Sequence, residues 1–407
     1  MGMIYSRLLS KRILVFQHIL AIARQKSILK PVRTFILNTL PRNVNINDDY
    51  DLVDYLLCVA IEENNFQVVC CCLDSNSIDI NMSTDELQNT LLHNAIQMKQ
   101  VDANIIELLL AYGADVNKEN LNNETSIFAL FYRTNNRSPE SKLMILKILI
   151  DANVNVNKQD RYGFTPLQCL IRMLLRRVDF TFEQMQLAVY YLFYANASRT
   201  LNVQNTSGQT TLHLACYDVS RTGPLASLFL TFGADPKLVD NFGRTALHYA
   251  AMDSENMSIV QILHYYGAEI NAKDNFDRTP LYELCVQSKY DDARIIPFIT
   301  LLVKLGAYIN CRAIDKTTAL HLAAEKFNVT ICQAFVELGA NINSRDYLNR
   351  TPLHFAARNP KSDVARMLID HGADVDIPDQ RFSTPAHYAV MLNNLNVLKV
   401  ILEHHVN

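Results

Sequence analysis

The chain has 407 residues, of which 49% are apolar and 19% charged, so there is ample material for a folded core and none of the composition of wholesale disorder. A net charge of -3 excludes a chain built mainly to neutralise nucleic-acid phosphates, and no run of 18 apolar residues is present to make a transmembrane helix. The nine cysteines are odd in number, include consecutive Cys70, Cys71 and Cys72, and form no C-x-x-C pair, which reads as a reduced, cytoplasmic setting rather than a disulfide framework.

Residues 1–47 differ chemically from the rest. They hold eight basic residues (Arg7, Lys11, Arg12, Arg24, Lys26, Lys30, Arg33 and Arg42) and no acidic one, whereas the remaining 360 carry 30 basic and 41 acidic residues, a net of -11. This head admits three readings. MGMIYS fits the short myristoylation pattern at Gly2, with the following basic residues as a second membrane signal. The stretch also has the basic, acid-free character of a presequence, with AIA at 21–23 as a cleavage-site mimic. The third reading is a pair of amphipathic helices, broken at Lys30–Pro31, that covers the first folded unit.

From residue 51 onward the chain is periodic. A degenerate unit at 51–84 precedes nine in-phase units starting near Thr90, Thr125, Thr165, Thr210, Thr245, Thr279, Thr318, Thr351 and Thr384, at spacings of 35, 40, 45, 35, 34, 39, 33 and 33 residues. The best copies read TALHYAA (245–251), TALHLAA (318–324) and TPLHFAA (351–357). Thr is a good helix N-cap, Pro at the next position (166, 280, 352, 385) suits N1, and the small residues that follow allow close packing of a second helix. That second helix, such as SIVQILHYYGAEIN at 258–271, stops at Gly113, Gly233, Gly267, Gly306, Gly339 or Gly372, with Asn153 and Asn196 in the same slot. An Asp or Asn five residues before Thr (120, 160, 205, 240, 274, 346, 379) is placed to close a projecting turn. A helix, a second helix and a projecting turn cannot bury their apolar faces alone and must stack.

On these residues the sequence resembles the ankyrin-repeat family, whose signatures are the T-P-L-H-x-A-A helix start and the G-A-D-V-N hairpin entry; the resemblance covers 51–407. It implies an all-α solenoid of about ten repeats with projecting β-turn hairpins, acting as a monomeric, non-catalytic scaffold or adaptor for a protein partner. Two further family roles stay open: a substrate-recruiting subunit of a ubiquitin ligase, for which no adaptor-docking box is visible, and a membrane-tethered adaptor acting through the head. The units at Thr125, Thr165 and Thr279 are long, and most of their excess is expected between their two helices, as at 170–193.

His93, His213, His248, His321, His354 and His387 recur with the repeat, each on the order of 10 Å from the next, too far to share an ion at ~2 Å. They are expected to make turn-bracing hydrogen bonds between neighbouring repeats, with no metal or cofactor. Cys216 and Cys285 stand where other copies have Ala and read as core. No Walker loop, G-x-G-x-x-G, H-E-x-x-H or G-x-S-x-G occurs, so no residue has a claim to catalysis. The partner-binding candidates are hairpin-tip residues without a packing duty: Tyr162, Phe242, Phe276 and Tyr347, flanked by Arg244, Arg278 and Arg350 one residue before Thr. Phe242 and Phe276 are expected to form a stripe along the concave side. Finally, LLAYGADVN (109–117) and LHYYGAEIN (263–271) look like substrates of the asparaginyl hydroxylase that modifies ankyrin repeats, with Asn117 and Asn271 as targets.

Overall fold

A computed structural model describes residues 19–26, 28, 31–35, 52–75, 78–131, 137–175, 180–217, 219–252, 257–286 and 292–406. Gly2 lies outside them. The chain divides into two compact units, Met1–Thr200 and Leu201–Asn407.

The first unit contains helical residues 19–25 (α1) and 31–35 (α2), followed by four helix pairs. These are α3 (Leu52–Glu62) with α4 (Phe66–Leu73), α5 (Leu91–Gln97) with α6 (Ala103–Ala111), α7 (Ser126–Phe131) with α8 (Pro139–Asp151), and α9 (Pro166–Leu174) with α10 (Phe182–Tyr194). First helices pack on first helices (α3, α5, α7, α9) and second helices on second helices (α4, α6, α8, α10), giving two layers around a core of Leu56, Val68, Ile105, Phe128, Leu146 and Val189. Ile19, Ala23 and Val32 are buried, and Lys26 is ion-paired to Asp74, so the head's helical residues are packed and tied to the fold.

The second unit repeats the plan six times: α11 (Thr211–Ala215) with α12 (Val219–Thr231), α13 (Ala246–Ala251) with α14 (Met257–Tyr265), α15 (Pro280–Val286) with α16 (Asp292–Lys304), α17 (Ala319–Lys326) with α18 (Val329–Glu337), α19 (Pro352–Ala356) with α20 (Ser362–Asp370), and α21 (Pro385–Met391) with α22 (Leu395–Val406). It has the same two layers. Among the described residues, strand pairing is limited to the isolated bridges Ser83–Thr90 and Val239–Thr245.

Where the long repeats place their extra residues differs from expectation. The second helices α8, α10 and α16 have 13 residues, against 9 in α6, α14, α18 and α20. Four of the extra residues therefore form one additional N-terminal turn rather than loop. A whole turn is nearly phase-neutral at 3.6 residues, so the apolar stripe stays against its neighbours. The same extension occurs in α12, whose repeat has ordinary spacing. Pro224 and Pro297 both sit nine residues before their glycines, at the junction of the added turn and the regular helix.

All nine glycines of the repeat have positive φ, as their slots require. At Gly243 (φ +76°) a Cβ would also lie 2.8 Å from the backbone nitrogen of Asn275 in the next hairpin, while at Gly233 (φ +94°) nothing lies within 4 Å. Both Gly→Ala changes incur the left-handed penalty of about 1–2 kcal/mol, and only Gly243→Ala adds a backbone clash. Urea unfolding of the two variants should place the Gly243→Ala midpoint well below that of Gly233→Ala.

Candidate protein-binding surface

Each repeat joint is built from the threonine outward. In the His-bearing repeats the Thr backbone N–H donates to the imidazole Nδ1 three residues on, at 3.0–3.2 Å, closing a capping box with His in the place usual for Glu or Gln. An N–H can only donate, so Nδ1 is the bare nitrogen and Nε2 carries the proton. Nε2 then donates to a carbonyl of the following repeat: His93 to Glu124 (3.0 Å), His213 to Arg244 (2.9 Å), His248 to Arg278 (3.0 Å), His321 to Arg350 (3.1 Å) and His354 to Ser383 (3.1 Å). The expected inter-repeat brace is present. Gln168 closes the box with Thr165 in its repeat, and the Tyr282 hydroxyl reaches Thr317 Oγ1 at 2.7 Å in another. Thr125 is followed by Phe128, which has no polar atom to offer, and its buried hydroxyl is left without a partner.

A second clamp lies at the hairpin entry. The Asn271 side chain donates to the Gly306 carbonyl (2.8 Å) and accepts from the Tyr308 N–H (2.8 Å) of the next repeat. Asn117 does the same with the Asn153 carbonyl and Asn155 N–H, and Asn81, Asn202, Asn310 and Asn343 follow suit. The asparagines do more than cap their own turns.

The hairpins are held just as firmly. Asp240 Oδ1 accepts the N–H groups of Phe242 and Arg244, while Oδ2 accepts from Arg244 Nε and Nη2 and from the Tyr249 hydroxyl at 2.7 Å. Burial alone would raise the Asp240 carboxyl; the Tyr249 and Arg244 bonds outweigh it and hold it below the usual carboxylate range. Burial, then the bond to Asp240, pushes the Tyr249 phenol up to about 12. Arg278 with Asp274 and Arg350 with Asp346 form the same ion pair. The three arginines named as contact candidates are thus committed inside their hairpins. Arg244 stacks over Phe242 (4.9 Å) and Tyr249 (4.7 Å), Arg278 over Phe276 (4.7 Å), and Arg350 over Phe355 rather than Tyr347 (4.8 Å).

The tip rings themselves stay open. Phe242 is 52% exposed, Phe276 45% and Tyr347 63%, with one face of each phenylalanine on its arginine and the remainder in solvent. Backbone bonds link successive tips in the second unit: Asn275 N–H to the Phe242 carbonyl, Ile314 to Phe276, Tyr347 to Asp315 and Gln380 to Leu348. Phe242 and Phe276 are therefore neighbours, as expected. Tyr162 belongs to the first unit, half-exposed beneath Arg161 (4.7 Å) in a row with Leu87 and Leu121.

Two tip residues escaped the sequence reading. Ile314 stands four residues before Thr318, a position searched only for aromatics. Phe382 is 85% exposed and holds φ +59° two residues before Thr384, the slot that Gly243 fills before Thr245, a left-handed position that disfavours a bulky side chain. The signal lies in the sequence: an aromatic two residues before Thr, where the other repeats have Gly, Asn, Asp, Gln or Lys.

Cys216 and Cys285 are core, as expected, whereas Cys58, Cys70 and Cys311 are only half-buried. Cys71, Cys72, Cys216 and Cys285 are buried, and burial pushes the Cys72 and Cys216 thiols up to about 12. No described helix is long and apolar enough to cross a membrane.

The comparisons with known proteins agree with this geometry. The family model for ankyrin repeats (3 copies) matches in overlapping windows that together span 182–407, and the single ankyrin-repeat model matches 87–121. The chain belongs to the ankyrin-repeat family and is an all-α ankyrin-repeat solenoid. It is 29% identical over 193 residues to an ankyrin repeat domain-containing protein of cowpox virus (strain Brighton Red), covering 45% of this chain and 27% of that protein. It is 31% identical over 97 residues to a putative ankyrin repeat protein of Rickettsia felis, covering 23% of this chain and 42% of that one. The chain thus spans less than half the length of either relative. The family is in general a non-catalytic protein–protein interaction module.

Because the Tyr249 hydroxyl joins Gln209, Arg244 and Asp240, Tyr249→Phe should lower stability by about 1–3 kcal/mol. The check is a lower urea midpoint with unchanged slope.

Proposed function

We propose that this protein is a scaffold or adaptor that receives a protein partner on the hairpin-tip row of its second unit, with Phe242 and Phe276 beginning the row and Ile314, Tyr347 and Phe382 continuing it. The observation that carries this reading is the contrast within each hairpin. In the Asp240, Asp274 and Asp346 hairpins the Asp and the Arg four residues on are paired with each other, while the ring at the tip is left half in water. A turn needs the Asp bonds for its shape, but it does not need an exposed phenylalanine, and aromatic side chains in such rows are what interface hot spots are made of. The arginines support the row by holding the rings upright rather than by reaching a partner. Three or four adjacent hairpins are of the size to supply a standard interface of ~800 Å² per side.

Phe242→Ala combined with Phe276→Ala should leave the melting temperature nearly unchanged, since both rings are solvent-facing, and weaken partner binding roughly thirtyfold or more, the equivalent of about 2 kcal/mol. Co-purification of the full chain and its double variant, followed by titration of the captured partner, measures both. A variant that folds and binds as before would place the partner elsewhere; one that unfolds would make the rings part of the hairpin core.

The asparagine resemblance stands beside this as a separate proposal. Asn117 and Asn271 occupy the inter-repeat clamp, at the exposed hairpin entry. Insertion of oxygen at their Cβ–H bonds should appear as a mass gain of one oxygen on peptides spanning either residue after incubation with the hydroxylase. Unmodified peptides from both sites would dismiss it.

A further inference from the structure

The imidazole brace has no room for a second proton. In each His-bearing joint Nδ1 already accepts the Thr N–H, and Nε2–H is already given to the next repeat's carbonyl. Protonating Nδ1 would set two N–H groups against each other at about 3 Å, breaking the capping box at the start of the helix, and would place a charge in a buried site. An aromatic ring packs roughly perpendicular to the imidazole there: Tyr249 on His213 (5.5 Å between ring centres), Phe355 on His321 (5.1 Å) and Tyr388 on His354 (5.2 Å).

We propose that the histidine column is an acid-sensitive latch: protonation of these imidazoles in mildly acidic solution breaks the Thr–His box, and the ring, no longer seated by it and charged in a buried place, leaves its carbonyl brace, so that neighbouring repeats of the second unit unstack.

The charges around each ring do not offset this. His213 faces Asp240 and Arg244; His248 faces Asp274 and Asp240 with Arg244. His321 faces Asp346 and Asp315 with Arg350, and His354 faces Asp379 and Asp346 with Arg350. In each set an arginine counters the carboxylates, and the carboxylates are already engaged in hairpin bonds. Burial is the leading effect on every ring: it holds His213, His248 and His354 below the ordinary histidine range and pushes His321 down to about 4. Below about pH 6.5 the unfolded imidazole takes a proton that the folded one refuses. The unfolded state then binds more protons, so the brace is at full strength above that pH and stability falls as the pH drops toward the folded value. Burial raises the Glu283 carboxyl, so this group works in the opposite direction and cannot mimic the effect. Since each repeat touches only its neighbours, the losses at successive joints add along the unit.

Gln168 shows how to test this, because it closes the same box with Thr165 through an amide that does not titrate. The full chain and a His248→Gln, His321→Gln, His354→Gln variant are melted at pH 7.5 and pH 5.0. The expected result is a wild-type Tm lower at pH 5.0 by roughly 5 °C or more, with the variant's fall less than half as large. Equal falls in both proteins, or no fall in the wild type, would overturn the proposal. A second measurement needs no variant. The carbon resonances of the buried His213, His248, His321 and His354 imidazoles in wild-type protein should keep their neutral values through pH 6 and change only together with loss of the folded backbone signals. Buried imidazoles that titrate near pH 6.5 in an intact array would overturn it equally.

Discussion

Everything in this protein hangs on one bond pair: a threonine N–H given to an imidazole, and the other nitrogen of that imidazole given to the next repeat. A single helix of five to nine residues, as in α11 or α13, is too short to be stable alone. The Thr–His box caps it, and the same ring ties it to a carbonyl about thirty residues on. Local and long-range structure therefore share a side chain, and the repeat cannot form without its neighbour. Where the histidine is replaced, another polar group assumes part of the duty, as at Gln168 and Tyr282. At Phe128 nothing does, and Thr125 is left with an unpaired hydroxyl.

The asparagine clamp works on the opposite side of the same joint. Asn202, Asn271, Asn310 and Asn343 each present one donor and one acceptor to the next hairpin's entry, a pattern that the carboxamide supplies from its two terminal atoms. With imidazole and carboxamide both spent on stacking, and each Asp–Arg pair spent on the turn, the repeat keeps its polar chemistry to itself. What is left over for a partner is the apolar tip.

That division explains why the arginines and the aromatics part company. Both lie near the tip in sequence, and both are residue types favoured in interfaces. Yet Arg244 is held by Asp240 and Tyr249 and lies flat on Phe242, so it buttresses the ring it was expected to accompany. Phe382 differs from the other tip rings in position: it is exposed in a left-handed slot, two residues before Thr rather than three or four.

The amino-acid sequence by itself determined the repeat count, the helix starts at Thr, the stops at Gly or Asn, the turn-closing Asp and the bracing role of the histidines. Those features are local or strictly periodic, and a motif copied eight or more times overrides the noise of any one copy. It also put Phe242 and Phe276 on neighbouring hairpins, because the hairpin register is the repeat register. Only the tertiary structure decided where the additional residues of the long repeats go, since a phase-neutral turn added to α8, α10, α12 or α16 leaves the apolar period intact. It alone showed that Asn271 grips Tyr308 and Gly306, and that Arg350 turns to Phe355 instead of Tyr347. Those choices depend on which side chain a neighbouring repeat brings within reach, and that is set by stacking, not by position along the chain.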